Sequence, residues 1–337
     1  MQEHSLVPKS RIEPKFKKEK KSKAVSFEAD AAISIDAKVG KKNPAADQIA
    51  VLLTNAEVLI SHGETGLAGG LIRQALSIDS HHAGALKKLA RVLGESGNLA
   101  LREKVYSALV KSEYCFESVS GLAHVYYFQN RDADALHKYQ EALSIVTEQS
   151  AGLFDVYKNL GNIMVREGDF GGAEEFYNKA FELSADNDVV LVNLGTLDIQ
   201  RKDFDQALGR FRKALEVNPK NDKAWVGLAL VHNHMGDSVL AKANLENAID
   251  AQPTNRTAVH MFANWCSRDL NYAAGIEMLQ NYLSRVESDE ELSLVLIHLL
   301  CLTNRNDLAL LESERVLLWN PENTEIQKIE QTLRQSL

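Results

Sequence analysis

The residue types best suited to chemistry are scattered along this sequence. Its histidines include the pairs His81/His82 and His232/His234, but neither pair has the i, i+4 spacing that places two metal ligands on one helix face. The three cysteines form no Cys-x-x-Cys motif and no even set for disulfides. The sequence also contains no glycine-rich phosphate loop and no His-Glu-x-x-His motif. It therefore predicts no catalytic activity, no metal site and no cofactor.

Charge is divided between a basic tail and an acidic body. Residues 1–45 carry 11 Lys/Arg against 6 Asp/Glu, which leaves 27 against 40 for the rest of the 337 residues. An acidic body lacks the basic face that phosphate neutralisation requires, so we do not expect nucleic acid as the main ligand.

Nothing in the sequence predicts a membrane span. The apolar stretch from Leu292 to Leu302 is well short of the roughly 20 residues that a span needs. No apolar block of the secretory kind follows the basic N-terminus. We expect a cytoplasmic protein.

The tail contains a run of lysines from Lys15 to Lys23 with little apolar material. Such a run is typical of a disordered, solvated arm. It would also suit docking on the acidic body, on an anionic membrane surface or on an acidic partner. A single short run does not separate these alternatives.

The prolines reveal an internal repeat. Pro253 lies one period after Pro219, and Pro321 lies two further periods on, which indicates a repeat of about 34 residues. Three consecutive units share small and bulky residues in register. Their members are Leu160, Gly161, Ala173, Tyr177, Ala180 and Ala185; Leu194, Gly195, Ala207, Phe211, Ala214 and Pro219; and Leu228, Ala229, Ala241, Leu245, Ala248 and Pro253.

This spacing predicts a pair of antiparallel helices in each unit. Small residues let the two helices approach closely, and the larger residues fill the seam between them. Proline ends the second helix because it has no N–H to donate. Helices of about 12 to 15 residues are marginal alone, so stability must come from the stacking of neighbouring units.

These positions resemble the tetratricopeptide repeat, with Trp225 at the fourth-position aromatic. The resemblance implies an all-α, right-handed superhelical solenoid of helix-turn-helix units. We predict about eight units over residues 46–321, strongest over 116–255, and a capping helix over 322–337. Trp225 is expected in the core, and Trp319 is expected to be covered by Ile326 and Ile329.

The resemblance also implies that the first helix of each unit lines a concave groove. Inward positions here carry many apolar side chains, and exposed apolar surface of that extent usually marks a binding site. Alternatively, some of these residues pack against the adjacent helix. The predicted peptide-binding residues are Tyr127, Phe128, Lys158, Asn162, Val165, Val189, Val192, Asn193, Ile199, Lys223, Val226 and Leu230. Val192 and Val226 are the predicted anchors.

A second pattern overlaps this groove. Members of the family that hold a C-terminal carboxylate use a clamp of lysine, asparagine and arginine side chains. Lys158, Asn162, Asn193 and Lys223 fall on four of its five positions, whereas Gly227 stands at the arginine position.

The predicted function is that of an adaptor or scaffold that binds a peptide or protein segment in the groove. The alternative is an accessory subunit of a larger assembly that uses convex or edge surfaces, with the basic tail docked on the acidic body or an anionic partner. The identity of the partner and the oligomeric state stay open at this point.

Overall fold

Helices make up the fold throughout residues 43–147 and 150–336, the part of the chain that the computed structural model describes. Those residues contain seventeen α-helices and no strand. The helices are α1 (Pro44–Ser61), α2 (Thr65–Ile78), α3 (Ala83–Ser96), α4 (Leu99–Ser112), α5 (Phe116–Phe128), α6 (Asp132–Ser144), α7 (Leu153–Glu167), α8 (Phe170–Leu183), α9 (Asp188–Gln200), α10 (Phe204–Val217), α11 (Asp222–His234), α12 (Ser238–Ala251), α13 (Arg256–Arg268), α14 (Tyr272–Leu283), α15 (Glu290–Leu302), α16 (Asn306–Trp319) and α17 (Thr324–Ser336). The prediction of an all-α repeat solenoid is confirmed.

Residues from Gln48 onward form one compact unit. Most of the predicted basic tail, residues 1–42, lies outside the described residues. From α2 onward, each helix packs against its neighbours in chain order, and first helices of some successive pairs, such as α9 and α11, also touch. This is the stacking that helices of about 12 to 15 residues need for stability.

The turn inside each described helical pair contains one residue in the left-handed backbone region. These residues are Gly63, Gly97, Asn130, Gly168, Lys202, Gly236, Leu270 and Asn304. The conformation lets the turn satisfy the last carbonyls of the first helix. In the α7–α8 turn, the Gly168 N–H donates to the Val165 carbonyl at 3.1 Å and the Asp169 N–H to the Met164 carbonyl at 2.9 Å. A chain reversal of the same kind therefore recurs once in each helical pair.

The connections between pairs are ordered by a second periodic feature, the residue that caps the first helix of each pair. Five caps occupy the same position in successive units, at Asn187, Asn221, Asn255, Asp289 and Asn323. Each side chain accepts a hydrogen bond from the backbone N–H three residues later, as the Asn255 Oδ1 does from Ala258 at 2.9 Å. A cap of this kind satisfies one of the free N–H groups at a helix start.

The same caps also tie one pair to the next. The Asn221 Nδ2 donates to the Asp188 carboxylate at 2.8 Å, and the Asn255 Nδ2 donates to Asp222 at 2.7 Å. Where the cap is Asp289, the preceding pair offers Arg256, whose Nε donates to the Asp289 Oδ2 at 2.7 Å. Here the cap is the acidic partner and the preceding pair supplies the donor, which reverses the arrangement at the asparagine caps but still links the two pairs. These bonds connect the starts of successive first helices and so hold them in register.

Two tryptophans differ from their predicted environments. Trp225 packs against two buried apolar clusters but is itself only half-buried, and its indole N–H donates to the Pro219 carbonyl at 3.0 Å in the connection before α11. Trp319 is 40% exposed and is not covered as predicted. Near the C-terminus the fully buried apolar side chains are instead Val316 of α16 and Ile326 of α17. The ring of Trp319 stays outside because it is the last residue of its helix.

Candidate functional site

A cleft of about 580 Å³ lies between α9 and α11, with α10 behind it. Part of its wall comes from the connection that leads into α13. The lining residues are Val192, Asn193, Thr196, Ile199, Gln200, Phe211, Asp222, Lys223, Val226, Gly227, Leu230, Gln252, Thr254, Asn255 and Thr257. Six predicted site residues meet in this first cleft, namely Val192, Asn193, Ile199, Lys223, Val226 and Leu230.

The floor of the first cleft is apolar and already packed. Val192 and Val226 are only 6% and 9% exposed, and the Phe211 ring beside them is 1% exposed. The prediction that the two valines are exposed anchors is therefore wrong, because the ring from the second helix and the neighbouring pair cover most of their surface. Ile199 is half-buried and Leu230 is exposed, so these two side chains are open to a ligand.

The rim of the first cleft carries charged and amide groups. Lys223 is exposed and has no hydrogen bond or ion pair from its side chain among the residues that the structure describes. The neighbouring Asp222 carboxylate accepts the hydrogen bond from Asn255 that links two pairs. The cleft therefore combines an apolar floor with one ammonium group whose donors are unused.

A second cleft of about 260 Å³ lies on the other side of α9. Its lining residues are Tyr127, Asn162, Val165, Arg166, Phe170, Tyr177, Asn193, Thr196, Leu197 and Gln200. Asn193, Thr196 and Gln200 line both clefts, so the two adjoin along α9. We call the two clefts together the groove.

The second cleft is built around Asn162. Its Nδ2 donates to the Tyr127 hydroxyl at 2.9 Å, while its Oδ1 accepts from the Tyr177 hydroxyl at 2.7 Å and from the Asn193 Nδ2 at 3.2 Å. Burial raises the pKa of Tyr177, so this hydroxyl stays protonated and remains a donor. The network fixes the side chains of three successive pairs in one arrangement.

Arg166 borders this network with its charge already paired. Its Nε and Nη2 donate to the two carboxylate oxygens of Asp132 at 2.7 and 2.6 Å. The guanidinium carbon also lies 4.6 Å from the centre of the Tyr127 ring. A bidentate pair of this kind holds the guanidinium in a set orientation, so Arg166 is a wall of the cleft and not a free cation.

Three predicted site residues line neither cleft. Phe128 is 55% exposed and makes an edge contact with the Tyr127 ring at 5.4 Å. The Lys158 ammonium is 2.6 Å from the Asp155 carboxylate. Val189 is 45% exposed near the start of α9. They flank the groove without contributing to its lining.

Comparison with known proteins identifies the repeat. Family models described as the tetratricopeptide repeat match residues 115–186 and residues 198–266. These two segments of the chain are tetratricopeptide repeats. The family predicted from the aligned positions is thereby confirmed.

Two solved structures share the fold of this tetratricopeptide-repeat protein. Pseudomonas aeruginosa pilF matches with a TM-score of 0.55 at 16% identity, over 67% of this chain and 100% of that chain. The APC/C hetero-tetramer Cut9-Hcn1 matches with a TM-score of 0.58 at 15% identity, over 76% of this chain and 52% of that chain. At these identities the likeness concerns the fold alone. A search of curated proteins finds no match.

The carboxylate clamp known from other tetratricopeptide-repeat proteins is not assembled here. Asn162 and Asn193 are bonded to each other, and Lys158 is paired with Asp155. A Cβ atom at Gly227 would lie 2.4 Å from the Phe211 ring, so the position that carries arginine in the clamp has no room for a side chain. Of the clamp positions, Lys223 alone has an unpaired charge in the described residues.

Some lining residues of this tetratricopeptide-repeat protein were missed by the sequence analysis. Phe211 was assigned to the seam because it lies on a second helix, although its ring reaches the cleft floor. Gln252 and Thr254 were missed because they lie in the connection between α12 and α13, and Thr257 was missed because it lies on α13, the first helix of the next unit. The capping asparagine of each unit was the available signal that this connection turns inward.

Other kinds of site were also sought in the described residues. They contain no group of three or more His, Cys, Asp or Glu side chains that could hold a metal ion. None of the described helices has the length and apolar character to cross a membrane.

Proposed function

We propose that this tetratricopeptide-repeat protein is a cytoplasmic adaptor or scaffold whose groove binds a segment of another protein. One observation carries the proposal: the first cleft has an apolar floor and an open apolar wall, and a second cleft adjoins it along α9. Concave, largely apolar sites with a few placed polar groups are the usual form of ligand-binding sites. No catalytic step, metal or cofactor belongs to the proposal.

The polar groups of the groove suit a peptide. Asn193 uses its amide nitrogen within the network and keeps its carbonyl oxygen open at the junction of the two clefts. Gln200, at the same junction, has no hydrogen bond from its side chain in the described residues. Open amide donors and acceptors beside an apolar floor can bind a peptide backbone while the floor receives a side chain.

The test compares two charge substitutions at exposed apolar side chains. Leu230→Asp places a carboxylate on the wall of the first cleft, whereas Val189→Asp does the same on α9 outside both clefts. Both residues are more than a third exposed, so both variants should keep the helicity and melting temperature of the native chain. Only Leu230→Asp should weaken binding, by roughly tenfold or more, because a desolvated charge faces an apolar ligand.

Binding is first measured by affinity purification from native cytosol with quantitative mass spectrometry of all three proteins. A protein lost with Leu230→Asp and retained with Val189→Asp is then purified and titrated calorimetrically. If Leu230→Asp retains every captured protein equally, the functional surface lies outside the groove.

A second candidate function, an accessory subunit that joins an assembly through an edge, has its own supporting observation. Exposed apolar side chains recur at the turns inside the later helical pairs. They are Met235, Val239, Leu240, Leu270 and Leu302, from 47% to 77% exposed. In this case, Val239→Asp and Leu270→Asp would abolish binding of the partner protein, and Leu230→Asp would not. The tail that this alternative includes lies outside the described residues.

A further inference from the structure

We propose that the first cleft selects an internal segment of the partner that carries a bulky apolar side chain with an acidic side chain close to it, not a free C-terminal carboxylate. The inference rests on the proposed function and adds the chemistry of the ligand. Its starting point is the juxtaposition of Lys223 with the open apolar wall made by Ile199 and Leu230.

The first step concerns charge. The basic side chains beside this part of the groove differ in whether they are paired. Lys158 is held by Asp155, and Arg166 is held by Asp132 through two hydrogen bonds. Lys223 has no such partner within residues 43–147 and 150–336. A ligand that covers an unpaired ammonium must supply a negative group or lose affinity through desolvation.

Asp222, the other charged residue of the lining, does not neutralise Lys223. Asp222 is adjacent to Lys223 in sequence, but its carboxylate accepts the Asn255 amide at 2.7 Å and is committed to the contact between two helical pairs. The free donors of the cleft therefore belong to Lys223. Charge complementarity favours an acidic ligand group at this point of the rim.

The second step concerns the apolar part of the ligand. The volume of about 580 Å³ lies within the roughly 300–1,000 Å³ of sites that enclose a small ligand, so the cleft holds more than one side chain. Lys223 and Leu230 are seven residues apart on α11, which is roughly 10 Å at 1.5 Å per residue. An extended peptide spans that distance in about three residues. The acidic and apolar side chains of the ligand should therefore lie within about three residues of each other.

The third step excludes a clamp for a chain end. Recognition of a terminal carboxylate by the clamp needs several donors aimed at one point, and the two asparagine side chains are bonded to each other instead. The Phe211 ring leaves no room for a side chain at Gly227. In addition, the second cleft adjoins the first along α9, so a partner chain has room to extend and need not end at Lys223.

The experiment uses two libraries of random 12-residue peptides panned against the full chain. In one library the peptides are fixed at both ends, and in the other they end in a free C-terminus. The fixed library should yield peptides with a large apolar residue and an Asp or Glu within about three positions. Lys223→Glu should exchange the acidic residue of the selected peptides for Lys or Arg. Lys220→Glu, an exposed lysine outside the cleft lining, should leave the selection unchanged.

A selected peptide then serves as the probe in calorimetric titrations. Changing its acidic residue to the amide should weaken binding to the native chain by roughly tenfold and should not weaken binding to Lys223→Glu. Selection of apolar peptides that depend on Leu230 but show no acidic preference would overturn this inference and leave the proposed function standing. Selection from the free-ended library alone would also overturn it. Peptides that bind Leu230→Asp and the native chain with equal affinity would contradict both this inference and the proposed function. A failure to select peptides from either library would contradict both as well.

Discussion

The packing of the Phe211 ring depends on two glycines of the neighbouring helices. Its ring packs between α9 and α11, and Cβ atoms built at Gly195 and Gly227 would lie 3.0 and 2.4 Å from it. The ring is almost fully buried, yet it also forms part of the floor of the first cleft. One aromatic residue therefore contributes both to the seam and to the proposed binding surface.

Gly227→Ala should destabilise the protein by roughly 1–3 kcal/mol, because the added methyl group must displace the buried Phe211 ring. Gly209→Ala is the matched control: Gly209 is exposed on α10 and its Cβ would meet nothing within 4 Å. That change should stabilise the helix by roughly 0.5–1 kcal/mol. Thermal melts of the two variants should thus shift in opposite directions.

Leu270 is a residue in an unfavourable backbone conformation. Its φ is +58° at a turn where most other pairs use glycine or asparagine and one uses Lys202, and its side chain is 72% exposed. A leucine in the left-handed region costs roughly 1 kcal/mol. Leu270→Gly should therefore raise stability by about 0.5–1 kcal/mol, measured as a higher melting temperature.

Leu302 provides the control for this change. It is similarly exposed at the end of α15, but it has helical geometry. Leu302→Gly should lower the melting temperature because glycine loses more conformational freedom in a helix. A decrease for both variants would show that the Leu270 side chain makes a contact that outweighs its backbone cost.

At the scale of elements, the contact between successive helical pairs depends on capping residues. Most of these contacts join an asparagine to an acidic residue, but Asp289 joins Arg256 and also accepts from the Tyr282 hydroxyl at 3.0 Å. Burial acts to raise the pKa of Asp289, and the hydrogen bonds from Arg256, Leu292 and Tyr282 outweigh it, so the pKa is lowered. This contact is therefore stronger when the carboxyl is ionised.

Acid should weaken the Asp289 contact. A lowered folded-state pKa means that the stabilisation is fully present above the unfolded-state pKa of about 3.9 and is lost as pH falls through the lower folded value. Asp289→Asn keeps an oxygen that can cap α15 but loses the charge opposite Arg256. We expect a loss of about 1 kcal/mol at pH 7 and a smaller further loss on acidification than in the native chain.

The measurement is the urea midpoint at pH 7 and at pH 3. Asp250→Asn is the control, because Asp250 is exposed and has no ion pair in the described residues. Its midpoints should follow those of the native chain at both pH values. A native pH dependence in Asp289→Asn would mean that other carboxyl groups dominate acid unfolding.

At the scale of the whole molecule, the last helical pair must be covered by something that is apolar on one side. Ile326 and Leu333 of α17 are 0% and 6% exposed and join the cluster that contains Val316. Glu325 and Lys328 on the same helix are exposed. A helix with one apolar and one polar face suits the end of a stack of repeats.

Truncation after Pro321 should expose this apolar cluster. Each buried aliphatic side chain contributes roughly 1.5–3 kcal/mol, so the loss of Ile326 and Leu333 should cost at least about 3 kcal/mol. We expect a lower melting temperature and aggregation in light scattering. Truncation after Leu333 is the control, since the described residues that it removes, Arg334 to Ser336, are exposed, and the surface ion pairs of Arg334 contribute little. A monodisperse shorter chain with native stability would contradict this role for α17.

The repeat was predictable from the sequence because its determinants are local. Pro219 and Pro253 and the small residues of the seam recur at the same positions of successive repeats, and each acts within its own hairpin or on the next one. The all-α fold and the family follow from this period. The inward direction of Val192 and Val226 also followed from the period, since both reach the first cleft.

Only the tertiary structure decided which inward side chains remain open to a ligand. Val192 is buried in a cluster with Phe211 of α10, Val226 is buried in a cluster with side chains of α12 and α13, and Leu230 is left as the open wall. The asparagines of the expected clamp bond to each other across two helical pairs, which leaves Lys223 as the unpaired charge. Exposure and pairing depend on contacts between units, and a pattern that repeats within each unit does not specify them.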